Sequence, residues 1–214
     1  MPTGALVITG TDTNIGKTVV AAMLTLALDA AYWKPVQAGT AEGTDTLTVA
    51  QLTGLGPERF RPERYLLTEA LSPHRSAELD GTEIDPLALT LPERVQGSRL
   101  LLVEGAGGLM VPLTRRTLFI DVFHRWGAPV VLCARTALGT INHTLLSIEA
   151  LRTRNIPLLG VVFIGEPVPD SERTICEFAT AKRLGRLPRL DPLNTDALRA
   201  AFAAEFRRED FVAA

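Results

Sequence analysis

Four short apolar runs punctuate the chain: "ALVIT" (5–9), "RLLLVEG" (99–105), "PVVLCA" (129–134) and "LLGVVFI" (158–164). Each is nearly continuous, without the polar alternation of a strand wetted on one face. Such runs suit strands covered on both sides, as in a parallel sheet. Longer stretches with helical spacing lie between and after them. Residues 17–29 carry apolar side chains at 19, 20, 23, 24 and 27. Residues 118–126 end at Gly127, a glycine suited to close a helix. Residues 140–154 line up Ile141, Leu145, Ile148 and Leu151. Residues 169–183 open on "PDSE", with Asp170 or Ser171 as the expected N-cap. Residues 195–207 form a last helix whose Leu198, Phe202 and Phe206 stripe is expected to dock on the core, because its polar face lacks the lysines of a membrane helix. Strand and helix in alternation predict an α/β fold with a mostly parallel sheet in one domain spanning residues 1–214. The least regular stretches, 37–46 and 54–76, read as functional loops.

Composition narrows the class. Apolar residues make up 46% and charged residues 21%, ordinary for a globular protein. The net charge is −2 with no basic stripe, which argues against nucleic acid. No apolar run is long enough for a membrane span, and the start "MPTGALVITG" lacks the charged region of a signal peptide, so a cytoplasmic location is expected. Cys133 and Cys176 are far apart, without metal-site spacing, and read as free thiols. Cys133 lies inside a strand, a poor position for a nucleophile.

The chemistry begins at "GTDTNIGKT" (10–18). A strand feeds this segment and a helix follows, the context of a phosphate loop. Gly16-Lys17-Thr18 ends like G-x-x-x-x-G-K-[ST], but the spacing from Gly10 is one residue longer. Backbone N–H groups and the helix dipole face an anion there. Lys17 would reach the β- and γ-phosphates, and the Thr18 hydroxyl would bind Mg²⁺. A magnesium site also needs carboxylates. Glu104 ends a buried strand just before "GAGG" (105–108), where α/β sheets bind ligands. Asp45 reads equally as a metal ligand and as a helix N-cap. Lys34, between Trp33 and Pro35, reads equally as a site lysine and as a surface lysine at a strand end.

Together, "GTDTNIGKT", "YWKPVQAG" (32–39), "LSPH" (71–74), "VEGAGGLMVPL" (103–113) and "LGTINH" (138–143) resemble the dethiobiotin synthetases, in order to about residue 165 and more loosely to Pro188. The longer phosphate loop is itself that family's form. The resemblance implies a P-loop NTPase-like three-layer α/β/α domain with a mostly parallel sheet of about seven strands. It implies ATP-dependent carboxylation of 7,8-diaminopelargonic acid by carbon dioxide. A carbamate takes the γ-phosphate, and the second amine closes the ureido ring of dethiobiotin in biotin synthesis. The implied catalytic residues are Lys34, Lys17 and Thr13, and the implied metal set for Mg²⁺ is Thr18, Asp45 and Glu104. Nucleotide contacts would come from Asn14, Ile15, Gly16, Lys17, Thr18, Val19, Asp45, Glu104, Gly105, Ala106 and Gly107, and from Leu187, Pro188 and Arg189. The diamine would meet Thr13, Lys34, Ala38, Gly107 and Gly108. Its carboxylate would be taken by Gly139, Thr140, Ile141 and Asn142 across a homodimer interface.

The chain departs from this pattern in places. Ala38 lacks a hydroxyl that many relatives carry. Asn14 replaces a carboxylate found in some relatives. Ile164 stands where relatives often have a base-reading Asn, so weak discrimination among nucleotide bases is expected, with backbone near Leu187–Arg189 doing the selection. His74 reads equally as a helix-start residue and as a site residue. His143 is expected to be packed, and His124 to lie on the surface. Two rival classes fit less well. Related synthases acting on a cobalamin precursor carry a glutaminase domain, for which 214 residues leave no room. Partitioning and septum-positioning ATPases carry an additional lysine early in the loop, and residues 11–15 have none.

Overall fold

The computed structural model describes residues 4–92 and 99–212. The first residues of the N-terminal reading, 1–3, lie outside them. In chain order the elements are β1 (Ala5–Gly10), α1 (Lys17–Leu28), β2 (Ala31–Trp33), β3 (Val36–Ala38), α2 (Asp45–Thr53), β4 (Phe60–Arg61), β5 (Tyr65–Leu67), α3 (Pro73–Leu79), β6 (Leu101–Gly108), α4 (Phe119–Trp126), β7 (Val130–Arg135), α5 (Thr140–Thr153), β8 (Leu158–Ile164), α6 (Pro169–Ala179), β9 (Arg183–Leu187), α7 (Thr195–Glu205) and α8 (Glu209–Val212).

Seven strands form one sheet in the order β4-β2-β6-β1-β7-β8-β9, and every pairing in it is parallel. Burial explains why the central strands read as unbroken apolar runs. On one face, Leu6, Ile8, Leu102, Val131 and Cys133 pack under α1 and α7. On the other, Val7, Val103, Val130 and Leu132 meet Phe119, Phe123 and Trp126 of α4 and Ile148 and Leu151 of α5. Helices on both faces make three layers. β1 lies in the middle, between β6 and β7, so the loop that leaves its carboxyl end opens where α/β sheets bind ligands.

Several boundaries differ from the sequence reading. The stretch 169–183 is not one helix. α6 ends at Ala179, Thr180 turns into the left-handed region (φ 44°), and Arg183–Leu187 form the edge strand β9. The arginines at 183 and 186 hide that strand: Arg186 pairs with Glu205 of α7, and Arg183 with Glu172 of α6. The N-cap of α6 is Val168, with Pro169 in the first turn, rather than Asp170 or Ser171. The proline fixes the first helical φ one residue earlier. The irregular stretches 37–46 and 54–76 hold most of β3, the start of α2, β4, β5 and the start of α3, and β3 and β5 make a separate two-stranded sheet. Gly127 closes α4 at φ 59° as expected, while α7 stops at Glu205 rather than 207; Leu198 and the following Phe206 are buried, with the Phe202 and Phe206 rings stacked.

Candidate active site

The segment between β1 and α1 wraps around the end of the sheet. Thr11 N–H donates to the Cys133 carbonyl of β7, and Gly16 takes φ 96°, a conformation that glycine adopts without strain. α1 therefore starts at Lys17 with its first N–H groups turned toward the loop. Lys17 is buried, and its ammonium donates to the Asp12 carbonyl at 2.7 Å. Burial pushes the Lys17 amine below the ordinary lysine value, against the pull of Glu104. Thr13 and Asn14 are exposed, Ile15 is buried, and Val19 packs against the core under α1.

A second group of charges lies beside this loop, carried by three different elements. Glu104 comes from β6, only 1% exposed. Its Oε1 accepts from the Thr18 hydroxyl at 3.0 Å and from Lys34 Nζ at 3.0 Å, and its Oε2 accepts from the Tyr32 hydroxyl at 2.9 Å. Lys34 follows β2 and is 4% exposed, not a surface lysine. Its ammonium also donates to Asp45 Oδ2 at 2.5 Å and, more distantly, to the Gly105 carbonyl. Burial alone would lower the Lys34 amine; Glu104 and Asp45 outweigh it and hold the ammonium above the ordinary value. Burial, then Glu104, pushes the Tyr32 phenol well up, so it is a donor at neutral pH. Asp45 opens α2, but the cap of that helix is Thr44, whose side chain accepts from Leu47 N–H. That leaves the Asp45 carboxylate free to face Lys34, while its N–H donates to Gln37 Oε1.

The structure thus brings Lys17, Thr18, Lys34, Asp45, Glu104 and Gly105 to one end of the sheet. The glycines of β6 come against the loop: a Cβ on Gly107 would stand 3.2 Å from Thr13 Oγ1, and one on Gly108 would stand 3.4 Å from the Gly10 carbonyl oxygen. Ala106 is half-buried beside them. Ala38 ends β3 and packs on the core, and its carbonyl accepts from Gln37. Leu187, Pro188 and Arg189 lie at the end of β9, beside Ile164. Ile164 itself sits against the loop, since a Cβ on Gly16 would lie 3.3 Å from it. The Leu187 carbonyl already accepts from Gly165 N–H. Gly139, Thr140, Ile141 and Asn142 start α5 at the tip of β7, and one residue ties them to the loop: Arg135 pairs with Asp12 at 2.9 Å, and its carbonyl takes the Thr140 hydroxyl.

His143 is exposed, not packed, because α5 turns Thr140 and Thr144 inward instead. His124 is exposed as expected, and His74 is half-buried in the first turn of α3, its ring nitrogen 3.0 Å from the Ser72 hydroxyl. Cys133 is buried in β7, where burial pushes its thiol up to about 12, and Cys176 is also unpaired. Sequence reasoning missed Tyr32, Gln37, Asp12 and Arg135. Tyr32 had a signal: two residues before Lys34 in an extended segment, it shares that lysine's side.

Among the described residues no three His, Cys, Asp or Glu side chains gather as a metal cage, and no helix is long and apolar enough to cross a membrane.

Comparisons with known proteins show the family and the fold. A family model described as an AAA domain matches residues 4–197. The ATP-dependent dethiobiotin synthetase BioD of Rhodopseudomonas palustris strain TIE-1 is 62% identical over 97% of this chain and 96% of its own length. The protein of that name from Afipia carboxidovorans is 59% identical over 97% of this chain and 98% of its own. Among solved structures, a ParA family ATPase from Chlorobium tepidum superposes with a TM-score of 0.54 at 10% identity, covering 94% of this chain and 90% of its own. The septum site-determining protein MinD of Pyrococcus horikoshii, solved with Mg-ADP, gives 0.52 at 12% identity, covering 92% and 85%. At such low identity these two show a shared fold. With more than half of its residues matched over nearly its full length, the chain belongs to the ATP-dependent dethiobiotin synthetase family.

Proposed function

We propose that the protein uses ATP to carboxylate 7,8-diaminopelargonic acid and close the ureido ring of dethiobiotin, a step of biotin synthesis. The observation that carries the site assignment is the buried Lys34 ammonium, bracketed by Asp45 and Glu104 at the mouth of the phosphate loop. One diamine nitrogen adds to carbon dioxide, losing a proton, and gives a carbamate. A carbamate oxygen attacks the γ-phosphorus, the bond to the β-bridging oxygen breaks, and ADP leaves. The second amine attacks the carbonyl carbon of the mixed anhydride. The carbon–oxygen bond to phosphate breaks, a second proton is lost, and the ring closes.

Two anions must meet, so the task of the chain is to neutralise and align them. Lys17 serves the nucleotide side, after leaving the Asp12 carbonyl for a phosphate oxygen. Lys34 serves between carbamate and γ-phosphate. Thr13 and the glycines 105–108 shape the space beside the transferring group, and Gly107 lets the chain approach Thr13 closely. Leu187–Arg189 and Ile164 flank the base; with Ile164 packed on the loop, no side-chain amide reads it there, and GTP or CTP serves as donor with little loss. The start of α5 would capture the substrate carboxylate, across a homodimer interface.

The donor set of Thr18, Asp45 and Glu104 fits Mg²⁺: all oxygen, with two carboxylates that already converge on the Lys34 cation and the Thr18 hydroxyl bonded to Glu104. With only two carboxylates it suits an ion shared with nucleotide phosphates rather than a resident one. When bound, the ion would neutralise β- and γ-phosphate charge. A nucleotide-switch role has only the fold in its favour, and residues 11–15 lack its lysine. The test supplies purified protein with the diamine, bicarbonate, Mg²⁺ and ATP. Phosphate release should depend on the diamine and match dethiobiotin formed. Release that ignores the diamine sinks the reading.

A further inference from the structure

Tyr32 is fully buried, yet its one polar atom reaches the site. It lies on β2 opposite Leu102 of β6, and Glu104 is two residues further along that strand. Two residues return a strand to the same face. The phenol therefore runs forward along the sheet, and its hydroxyl meets Glu104 Oε2 at 2.9 Å. The other oxygen, Oε1, takes both the Thr18 hydroxyl and the Lys34 ammonium. The carboxylate is thus divided: one oxygen is tied inward and the other is turned to the cation pocket. Phe60 on β4 holds the Tyr32 ring from the far side, centroids 6.4 Å apart at 65°.

We infer that Tyr32 is a positioning residue that fixes Glu104 so that Oε1 alone faces the cation pocket. The inference rests on the reading of Glu104 as a Mg²⁺ ligand. A carboxylate free to rotate would offer the pocket either oxygen or both, and would lose its alignment with Thr18. Partners that orient a metal ligand from behind commonly carry a 10–100-fold effect on affinity or activity. The Tyr32 hydroxyl, which among the described residues bonds only that site carboxylate, has that position here.

The test uses the full-length protein with ADP and Mn²⁺ as the probe, titrated by electron paramagnetic resonance. Tyr32→Phe keeps the ring and removes the hydroxyl. It should weaken Mn²⁺ about tenfold and raise the Mg²⁺ concentration for half-maximal activity in parallel. ADP binding without metal should stay at the wild-type value. Phe60→Leu loosens the packing of the ring but keeps the hydroxyl, so it should lower stability and leave Mn²⁺ affinity alone; a loss matching that of Tyr32→Phe overturns the inference. The Tyr32→Phe/Glu104→Gln pair should bind Mn²⁺ no worse than Glu104→Gln alone, because Tyr32 acts only through that carboxylate. Additive losses overturn the inference, as does wild-type affinity in Tyr32→Phe while Glu104→Gln binds weakly. Wild-type affinity in Glu104→Gln removes the metal reading, and the inference with it.

Discussion

Two ion pairs of almost equal length border the phosphate loop, and they have little else in common. On the inner side, Lys34 stands 3.0 Å from Glu104, with side chains 5% and 1% exposed. On the outer rim, Arg135 stands 2.9 Å from Asp12, with side chains 50% and 48% exposed. Distance cannot rank them; burial can. An exposed pair is screened by water and salt and contributes about 0–1 kcal/mol. Removing one member of a buried pair leaves an uncompensated charge and costs about 3–5 kcal/mol. The inner cluster is therefore where a substitution reaches both chemistry and folding, and the rim is where it reaches neither strongly.

Lys34→Met is the harshest test of that contrast. The charge proposed to meet carbamate and γ-phosphate disappears, so kcat should fall about 10²–10³-fold, the range for losing one preorganised electrostatic partner. In the same variant Asp45 and Glu104 lose their cation. Stability without metal should drop by about 3–5 kcal/mol in urea melts, and Mg²⁺ should recover much of it. Wild-type stability in Lys34→Met would break the comparison. A smaller effect is expected beneath the loop, at Cys133. Its folded thiol holds a proton up to about 12, against an ordinary 9.0, because of burial. Between those values the unfolded chain binds fewer protons, so stability falls as pH rises above about 9. Cys133→Ala should flatten that part of the pH profile, and a thiol reagent at neutral pH should reach Cys133 only on unfolding, well after the half-buried Cys176.

How much of this could be read beforehand depends on how each residue earns its place. The four long central strands were legible because burial on both faces leaves a nearly uninterrupted apolar run, as in β7, which is buried from its start through Ala134. β9 was not, because an edge strand carries arginines that serve its neighbours. β3 and β5 were not, being three residues each, β3 beside Gly- and Thr-rich sequence and β5 among Arg, Glu and Pro. In the site, the phosphate loop was legible from local spacing. Lys34 and Asp45 were ambiguous until a resemblance chose between readings, since what makes them a pair is proximity across 11 positions of sequence. Arg135 and Asp12 carry no local pattern at all. They meet only because β7 lies beside β1 in the sheet.

That rim contact sharpens the comparison from its weak end. Asp12 does two things at once: its carboxylate takes Arg135 and the Thr13 N–H, while its carbonyl holds the Lys17 ammonium. Arg135→Ala removes an exposed partner, so stability should change by no more than about 1 kcal/mol. The loop keeps its Thr11–Cys133 backbone bond and the Asp12–Thr13 contact, so kcat should hold. What remains is a slight loosening of Asp12, and with it of the loop that receives the nucleotide. KM for ATP should rise, but by less than about threefold, a change worth under about 0.7 kcal/mol. The difference between variant and wild type should fade as salt is raised toward 1 M, where screening reaches about 3 Å. Steady-state kinetics at low and high salt would measure it. An effect that persists at 1 M, or a kcat loss near that of Lys34→Met, would mean that Arg135 acts on the bound reactants and not through a solvated pair.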